Sequence, residues 1–124
     1  MPSTIYERVG GEQFFSDLVD RFYDGVARDP TLRPLYPEDL EAPTQHLRLF
    51  LVQYWGGPQT YSELRGHPRL RMRHAPFEIG LAERDAWLRH MLAALEQAHL
   101  PPDDHAELAE YFRSTATQLI NHRV

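Results

Sequence analysis

The sequence predicts an all-α protein, and three observations lead to this prediction. Apolar residues recur at helical spacing, as at Phe14, Leu18, Phe22 and Val26, which places them on one face of a helix. The 7 glycines and 10 prolines among 124 residues interrupt the chain often and divide it into short segments. No stretch alternates apolar and polar residues as a half-buried strand does. A chain of this length is expected to form one domain, residues 1–124.

Capping and breaking residues delimit the first two helices. Thr4 and Glu7 form the T-x-x-E pattern of a capping box, so a short helix starts there, and Gly10-Gly11 should end it. The stripe from Phe14 to Val26 forms a longer helix with Tyr23 on its apolar face. Asp29-Pro30 is expected to end this second helix.

The middle of the chain is broken into short pieces. Its prolines leave segment 31–37 room for one helical turn that ends at a corner near Tyr36. Pro43 is expected to be the first residue of the third helix, because a missing N–H costs nothing at that position. Gly56-Gly57-Pro58 ends that helix, and residues 59–66 are expected to form a loop. The apolar face of the third helix carries Leu47, Phe50, Leu51 and Tyr54.

Proline also delimits the helices that follow. Pro68 opens a short helix over residues 69–75, which Pro76 must end, and Leu70 and His74 share one of its faces. Residues 80–98 give the clearest helical pattern, with leucines on one row of its apolar face and Trp87, Met91 and Ala94 on the next.

The final helix is expected after Pro101-Pro102, which closes the preceding one. Asp103 or Asp104 is expected to cap it. Its apolar residues are Leu108, Tyr111, Phe112, Thr115, Leu119 and Ile120.

Composition excludes several classes of function. The formal net charge is -5, so the chain has no broad basic field for a nucleic acid or an anionic membrane. It contains no cysteine, which rules out disulfides, thiolate metal sites and a cysteine nucleophile. No apolar run approaches the roughly 20 residues of a membrane span, and the N-terminus lacks the apolar core of a signal peptide. A cytoplasmic protein without an integral membrane segment is therefore expected.

Familiar catalytic spacings are missing from the sequence. No pair of the 7 histidines shows the H-x-x-x-H or H-x-x-E-H spacing of zinc enzymes. No nucleophile elbow, P-loop or dinucleotide-binding glycine pattern is present. Arg65, Arg69, Arg71 and Arg73 crowd one stretch with His67. Such a cluster is usually a solvated face, but it could also meet a carboxylate-bearing ligand.

Pattern alone leaves the roles of the inward rings open. Tyr23, Tyr36 and Trp87 could each be a core aromatic whose polar atom finds a backbone partner. His74 could be a surface histidine that interacts with a helix end. These alternatives stand beside the possibility that the rings surround a ligand.

Several longer motifs together resemble the group II truncated haemoglobins. The resemblance includes Val9-Gly10-Gly11, Arg21-Phe22-Tyr23 and Tyr36-Pro37-Glu38-Asp39, and so covers essentially the whole chain. It implies a shortened globin fold, with helices packed two over two around a haem b. The central runs that carry it are Tyr54-Trp55-Gly56-Gly57-Pro58, Tyr61-Ser62-Glu63, residues 65–77 and residues 83–88.

The resemblance implies that His74 is the iron ligand. A neutral imidazole binds iron through one nitrogen while its other N–H needs an acceptor, for which a nearby backbone carbonyl is expected. Tyr23, Tyr36 and Trp87 fall on the positions that donate hydrogen bonds to a bound ligand such as O2.

The rest of the haem pocket is assigned by the same resemblance. The position that gates ligand access falls at Pro43 or Thr44. Arg73, Tyr61, His67 and His46 are candidates for the haem propionates. The other expected haem contacts are Leu47, Phe50, Leu51, Leu70, Phe77, Ile79 and Met91.

Three functions follow as hypotheses. The first is tight binding of O2, CO, NO or peroxide with redox chemistry, such as NO dioxygenation or peroxide turnover, served by an external reductase. The second is a haem-based sensor that acts through a partner protein. The third is a helical module without haem, whose rings are only core. A homodimer is compatible with each.

Overall fold

The computed structural model describes residues 3–121, apart from the side chain of Arg71. Within that range it contains α-helices and one short 3-10 helix, and no strand. None of the described helices is both long enough and apolar enough to cross a bilayer. The helices are α1 (Ile5–Val9), α2 (Glu12–Val26), the 3-10 helix (Arg33–Leu35), α3 (Glu41–Tyr54), α4 (Thr60–Arg65), α5 (Leu70–His74), α6 (Leu81–Glu96) and α7 (Pro102–Gln118).

The four long helices form two pairs that surround the core. Helix α2 packs on α3 and on α6, and α6 packs on α7. This arrangement confirms the predicted all-α fold with helices two over two. The centre of the packing is the apolar face of α2, where Phe15, Leu18 and Phe22 are fully buried, and Met91 and Phe112 are buried against it from α6 and α7.

The predicted start and end of α1 are confirmed by its caps, whereas α2 ends at Val26, three residues before the expected Asp29. The Glu7 amide donates to the Thr4 hydroxyl at 3.2 Å. Helix α1 ends at Gly10, whose φ of +109° lies in the left-handed region that glycine tolerates best. Helix α2 then starts immediately, at Glu12.

Three predicted boundaries are wrong. Helix α3 starts at Glu41, two residues before Pro43; a proline is tolerated there because first-turn amides have no helical partner. Helix α7 starts at Pro102 itself, so the expected aspartate caps lie inside its first turn. The proline that was expected to close one helix therefore opens the next.

The third error is the expected loop at residues 59–66, most of which is helix α4. Tertiary contacts define this helix. The side-chain amide of Gln53 accepts from the Ser62 backbone N–H at 2.9 Å and donates to the Ser62 hydroxyl at 2.7 Å. Tyr61 is buried at the same point. A six-residue helix has too few positions to show an apolar period.

A buried carboxylate, Asp29, fastens the end of α2 to α6. Its Oδ1 accepts from the Thr31 and Leu32 amides at 2.7 and 3.3 Å. Its Oδ2 accepts from His90 Nε2 at 2.6 Å and from Arg89 at 3.0 Å. The chain that leads from α2 towards Tyr36 is therefore held against the helix that carries Trp87.

Gly25→Ala is expected to destabilise the protein, although alanine normally favours a helix. A Cβ on Gly25 would lie 2.9 Å from Cγ of His90 and closer still to its Nδ1. Either His90 must leave Asp29 or α2 and α6 must separate, at a cost of about 1 to 3 kcal/mol. Urea unfolding measures this, with Asp20→Ala on the exposed face of α2 as the control.

The same clash predicts the result of a double variant. In Gly25→Ala/His90→Ala the ring is gone, so the cost of the added methyl group should nearly vanish. An equal cost of Gly25→Ala with and without the His90 ring would contradict this account of the helix crossing.

Asp29→Asn is expected to lower stability at pH 7 and to reduce the acid sensitivity of the fold. The hydrogen bond from His90 lowers the pKa of Asp29, against the opposing effect of burial. Such a carboxylate stabilises the fold above its unfolded-state pKa of about 4, and this contribution is lost as pH falls through the lower folded-state pKa. Unfolding from pH 7 to pH 3 should show a difference of about 2 kcal/mol that shrinks in acid. A difference independent of pH would contradict this explanation.

Candidate functional site

A cavity of about 360 Å³ lies among the helices and is lined mainly by apolar side chains. Apolar walls with a few polar groups are typical of small-molecule sites. Its lining includes most of the predicted site residues: Tyr23, Tyr36, His46, Leu47, Phe50, Tyr61, Leu70, Arg73, His74, Phe77, Ile79 and Trp87.

Three residues that were predicted as haem contacts do not line this cavity. Leu51 and Met91 are almost completely buried in the core between helices, with exposures of 1% and 0%. Each lies on the correct helix, but on the side that packs against a neighbouring helix. His67 is exposed, and its Nδ1 accepts from the Arg69 amide at 3.3 Å.

The last residue of α5, His74, presents a metal-binding nitrogen to the cavity. Its Nδ1 lies 2.7 Å from the Leu70 carbonyl oxygen. Because a carbonyl can only accept, Nδ1 carries a proton, and in the neutral tautomer Nε2 is then the nitrogen with a free lone pair. This is the backbone contact that was expected for the imidazole, and it fixes the ring so that Nε2 can bind a metal ion.

His74 does not belong to a metal site built by several described side chains. Among the described residues, no group of three or more histidine, aspartate and glutamate side chains could hold an ion. A metal held by one imidazole needs other ligands that the protein does not supply. The apolar cavity around His74 therefore suits a metal ion that is bound within an organic cofactor.

Three hydrogen-bond donors from different elements meet at Tyr36. The Tyr23 and Tyr36 rings are nearly perpendicular, with centroids 5.6 Å apart. Burial raises the pKa of Tyr36 to about 12, while hydrogen bonds from Tyr23 and Trp87 act in the opposite direction. Burial, and then the neighbouring Tyr36, raise the pKa of Tyr23. Both phenols are therefore protonated donors at neutral pH.

The cavity can therefore offer donors to a bound ligand. Tyr23 and Trp87 both lower the pKa of Tyr36, as donors near its oxygen do, and indole N–H can only donate. All three residues line the cavity. An electronegative atom placed beside them would be a suitable acceptor for the Tyr36 hydroxyl and the indole N–H.

Positive charge gathers at the edge of the cavity formed by α3, α4 and α5. Arg73 is held by the carbonyls of Pro68 and Arg65, each at 2.8 Å. Arg65 Nη1 contacts both nitrogens of His46, at 2.7 Å for Nε2. Both guanidinium groups lie within 6 Å of the Tyr61 ring centre. Burial and then the charges of Arg65 and Arg73 lower the pKa of His46, so its ring stays neutral and can accept from Arg65.

Of the two residues predicted at the gate, one lines the cavity. Pro43 lines the cavity, whereas the Thr44 hydroxyl donates to the Leu40 carbonyl at 2.7 Å. A proline ring cannot swing aside as a long side chain does, and it has no proton to donate.

Several cavity residues were not predicted as site residues. Thr115 and Leu119 were recognisable as part of the apolar face of α7, but nothing in their spacing indicated a cavity. Arg84 gave no signal, since it is a charged residue that also donates to the Thr117 hydroxyl at 2.9 Å. The other additional lining residues are Leu32, Leu35, Pro37, Arg65, Glu83 and Ala116.

Several known proteins are similar to this chain over nearly its whole length. The bacterial-like globin family matches residues 4–121. A group 2 truncated haemoglobin of Bacillus subtilis, YjbI, is 41% identical over 116 residues, which are 94% of this chain and 87% of that protein. The haemoglobin of the thermophilic phototrophic bacterium Chloroflexus aurantiacus is 58% identical, with a TM-score of 0.95 over 98% of this chain and 100% of that one. The thermostable haemoglobin of the actinobacterium Thermobifida fusca is 55% identical, with a TM-score of 0.96 over the same shares.

Proposed function

This chain belongs to the bacterial-like globin family, among the group II truncated haemoglobins, and on that premise we propose that it retains O2 tightly for redox chemistry instead of transporting it. Its cofactor is haem b, and it binds small gaseous ligands such as O2. NO dioxygenation and peroxide turnover are the two reactions proposed.

The residues of the cavity fit a haem. The Nδ1 of His74 donates to the Leu70 carbonyl, which leaves Nε2 as the nitrogen for a metal in the neutral ring, so His74 is the proposed iron ligand. Bound haem would supply the iron that takes a small gaseous ligand. Apolar side chains such as Leu47, Phe50 and Phe77 line the cavity and would pack on the haem and exclude water.

The basic edge of the cavity suits the haem propionates. Arg65 and Arg73 carry fixed charges there, and their Tyr61 and His46 neighbours can each donate or accept one hydrogen bond. Arg73 is already held in place by two carbonyls, so little side-chain freedom is lost when it binds a carboxylate. In this proposal Arg65 replaces His67 in the set of propionate partners.

The observation that carries the proposal is the meeting of three donors at Tyr36. O2 that binds iron gains negative charge and becomes a good acceptor, whereas CO is a poor one. Each hydrogen bond contributes about 1 kcal/mol, and more to a charged acceptor. Two donors would therefore slow O2 release by about 30-fold. Slow release suits redox use and opposes transport.

Redox turnover also needs an electron source. For NO dioxygenation the proposal includes an external reductase, which would supply one electron for each nitrate formed, whereas peroxide turnover would take its electrons from the substrate that is oxidised. A homodimer is compatible with the proposal but is not needed for it, because every donor discussed here belongs to one chain.

The test uses the purified haem-loaded protein. We expect a ferrous form that binds O2 and CO, with O2 released far more slowly than from a variant without the donors. We also expect catalytic consumption of NO under O2 with formation of nitrate, or peroxide-dependent oxidation of a phenolic substrate, when a reductase is supplied. Rapid O2 release without either activity would overturn the proposal and favour a sensor that acts through a partner protein.

A further inference from the structure

We infer that Asn121, which follows α7, is a positioning residue for the iron-binding side chain of His74. Its side-chain Nδ2 donates to the His74 carbonyl at 3.2 Å and to the Phe77 carbonyl at 2.8 Å. Its Oδ1 accepts from the Ile79 amide at 2.9 Å. Its own backbone amide donates to the Ile79 carbonyl at 2.8 Å. One side chain thus ties the end of α5 to the connection that leads into α6.

The segment around His74 needs such stabilising hydrogen bonds. Helix α5 has only five residues, and an isolated helix of that length is not stable in water. Pro76 prevents its continuation and brings no amide of its own. Carbonyls at a helix end lack helical partners. That of His74 accepts locally from the Phe77 amide at 3.0 Å and, from 47 positions away in the sequence, from Asn121.

The chemistry of the tie requires an amide. Two carbonyl oxygens face Nδ2, which has two protons, and one N–H faces Oδ1, so the donors and acceptors of asparagine are matched. A carboxylate in the same place would set an oxygen against two carbonyl oxygens. The residue type is therefore specified by the segment that it holds.

The tie also joins two walls of the cavity. Phe77 and Ile79 line it on one side of the tie, and Leu119 lines it from α7, two residues before Asn121. The hydrogen bonds of Asn121 therefore connect α7 to the backbone that carries the His74 imidazole and hold that backbone in place. This inference rests on the proposed role of His74 as iron ligand, and Asn121 itself does not contact the cavity.

The test compares Asn121→Ala and Asn121→Asp with the control Gln118→Ala, an exposed residue near the end of the same helix. Amide exchange of Ile79 is measured in the haem-free and haem-loaded protein. The iron–histidine stretching band of the ferrous protein and the rate of haem transfer to an excess of apomyoglobin give two further readouts.

We expect Asn121→Ala to speed exchange of the Ile79 amide about tenfold and haem loss about three-fold to tenfold, as the loss of hydrogen bonds requires. The iron–histidine band should shift or broaden. Asn121→Asp should lose haem at least as fast as Asn121→Ala, although its carboxylate can still accept from Ile79. Gln118→Ala should match the parent protein in all three measurements.

Two failures are distinguishable. If amide exchange at Ile79 becomes faster while the iron–histidine band and the rate of haem loss stay unchanged, Asn121 only anchors the segment that follows α7. The inference is then wrong. If His74→Gly keeps the iron–histidine band, the assignment of His74 fails whatever the Asn121 variants show.

Discussion

His74→Gly is expected to abolish the five-coordinate ferrous spectrum and to cause most of the haem to be lost on purification. The imidazole is the proposed iron ligand, and its tautomer is set by the 2.7 Å contact with the Leu70 carbonyl. Among the described histidines, only His46 also lines the cavity. Absorption spectra with and without dithionite and CO measure the result.

His67→Gly is the matched control, because this histidine belongs to the same stretch of chain but is exposed and outside the cavity. It should leave the spectrum unchanged. Added imidazole should restore a five-coordinate spectrum to His74→Gly, since the deleted side chain leaves a space of that shape. An unchanged ferrous spectrum in His74→Gly would refute the assignment.

Local signals in the sequence predicted most helix ends correctly. Thr4 and Gly10 act on atoms within a few positions of themselves, so their effect can be recognised without a fold. Helix α4 could not be predicted, because it depends on a Gln53 side chain from another helix. The boundary at Pro43 was misjudged because proline is tolerated anywhere in a first turn.

The site shows the same difference between features that local sequence signals predict and features that depend on distant residues. Apolar periodicity and the family resemblance together predicted twelve of the residues that line the cavity. Neither could show which part of a wide apolar helix face packs on a neighbouring helix and which part lines the cavity. Leu51 and Met91 were misplaced for that reason. Asn121 and Gly25 are each explained by a partner more than forty residues away, which no local pattern contains.

Trp87→Phe is expected to raise the dissociation rate of O2 by tenfold or more. Phenylalanine keeps most of the ring volume against Phe22 and Phe112 but removes the indole donor. The change takes away a donor available to the ligand and also the donor that lowers the pKa of Tyr36. A tenfold change corresponds to about 1.4 kcal/mol, within the range of one or two hydrogen bonds. Stopped-flow dissociation of O2 and CO measures the effect.

Comparison of the two gases and of Tyr23 separates hydrogen bonding from packing. The CO rate should change less, because CO is the weaker acceptor. Tyr23→Phe should have the smaller effect on O2, since Tyr23 acts through the Tyr36 oxygen. In the double variant the effects should not add, because both donors share that oxygen. Equal acceleration of O2 and CO by Trp87→Phe would mean that the indole is only a steric wall, and tight retention of O2 by hydrogen bonding would then have to be abandoned.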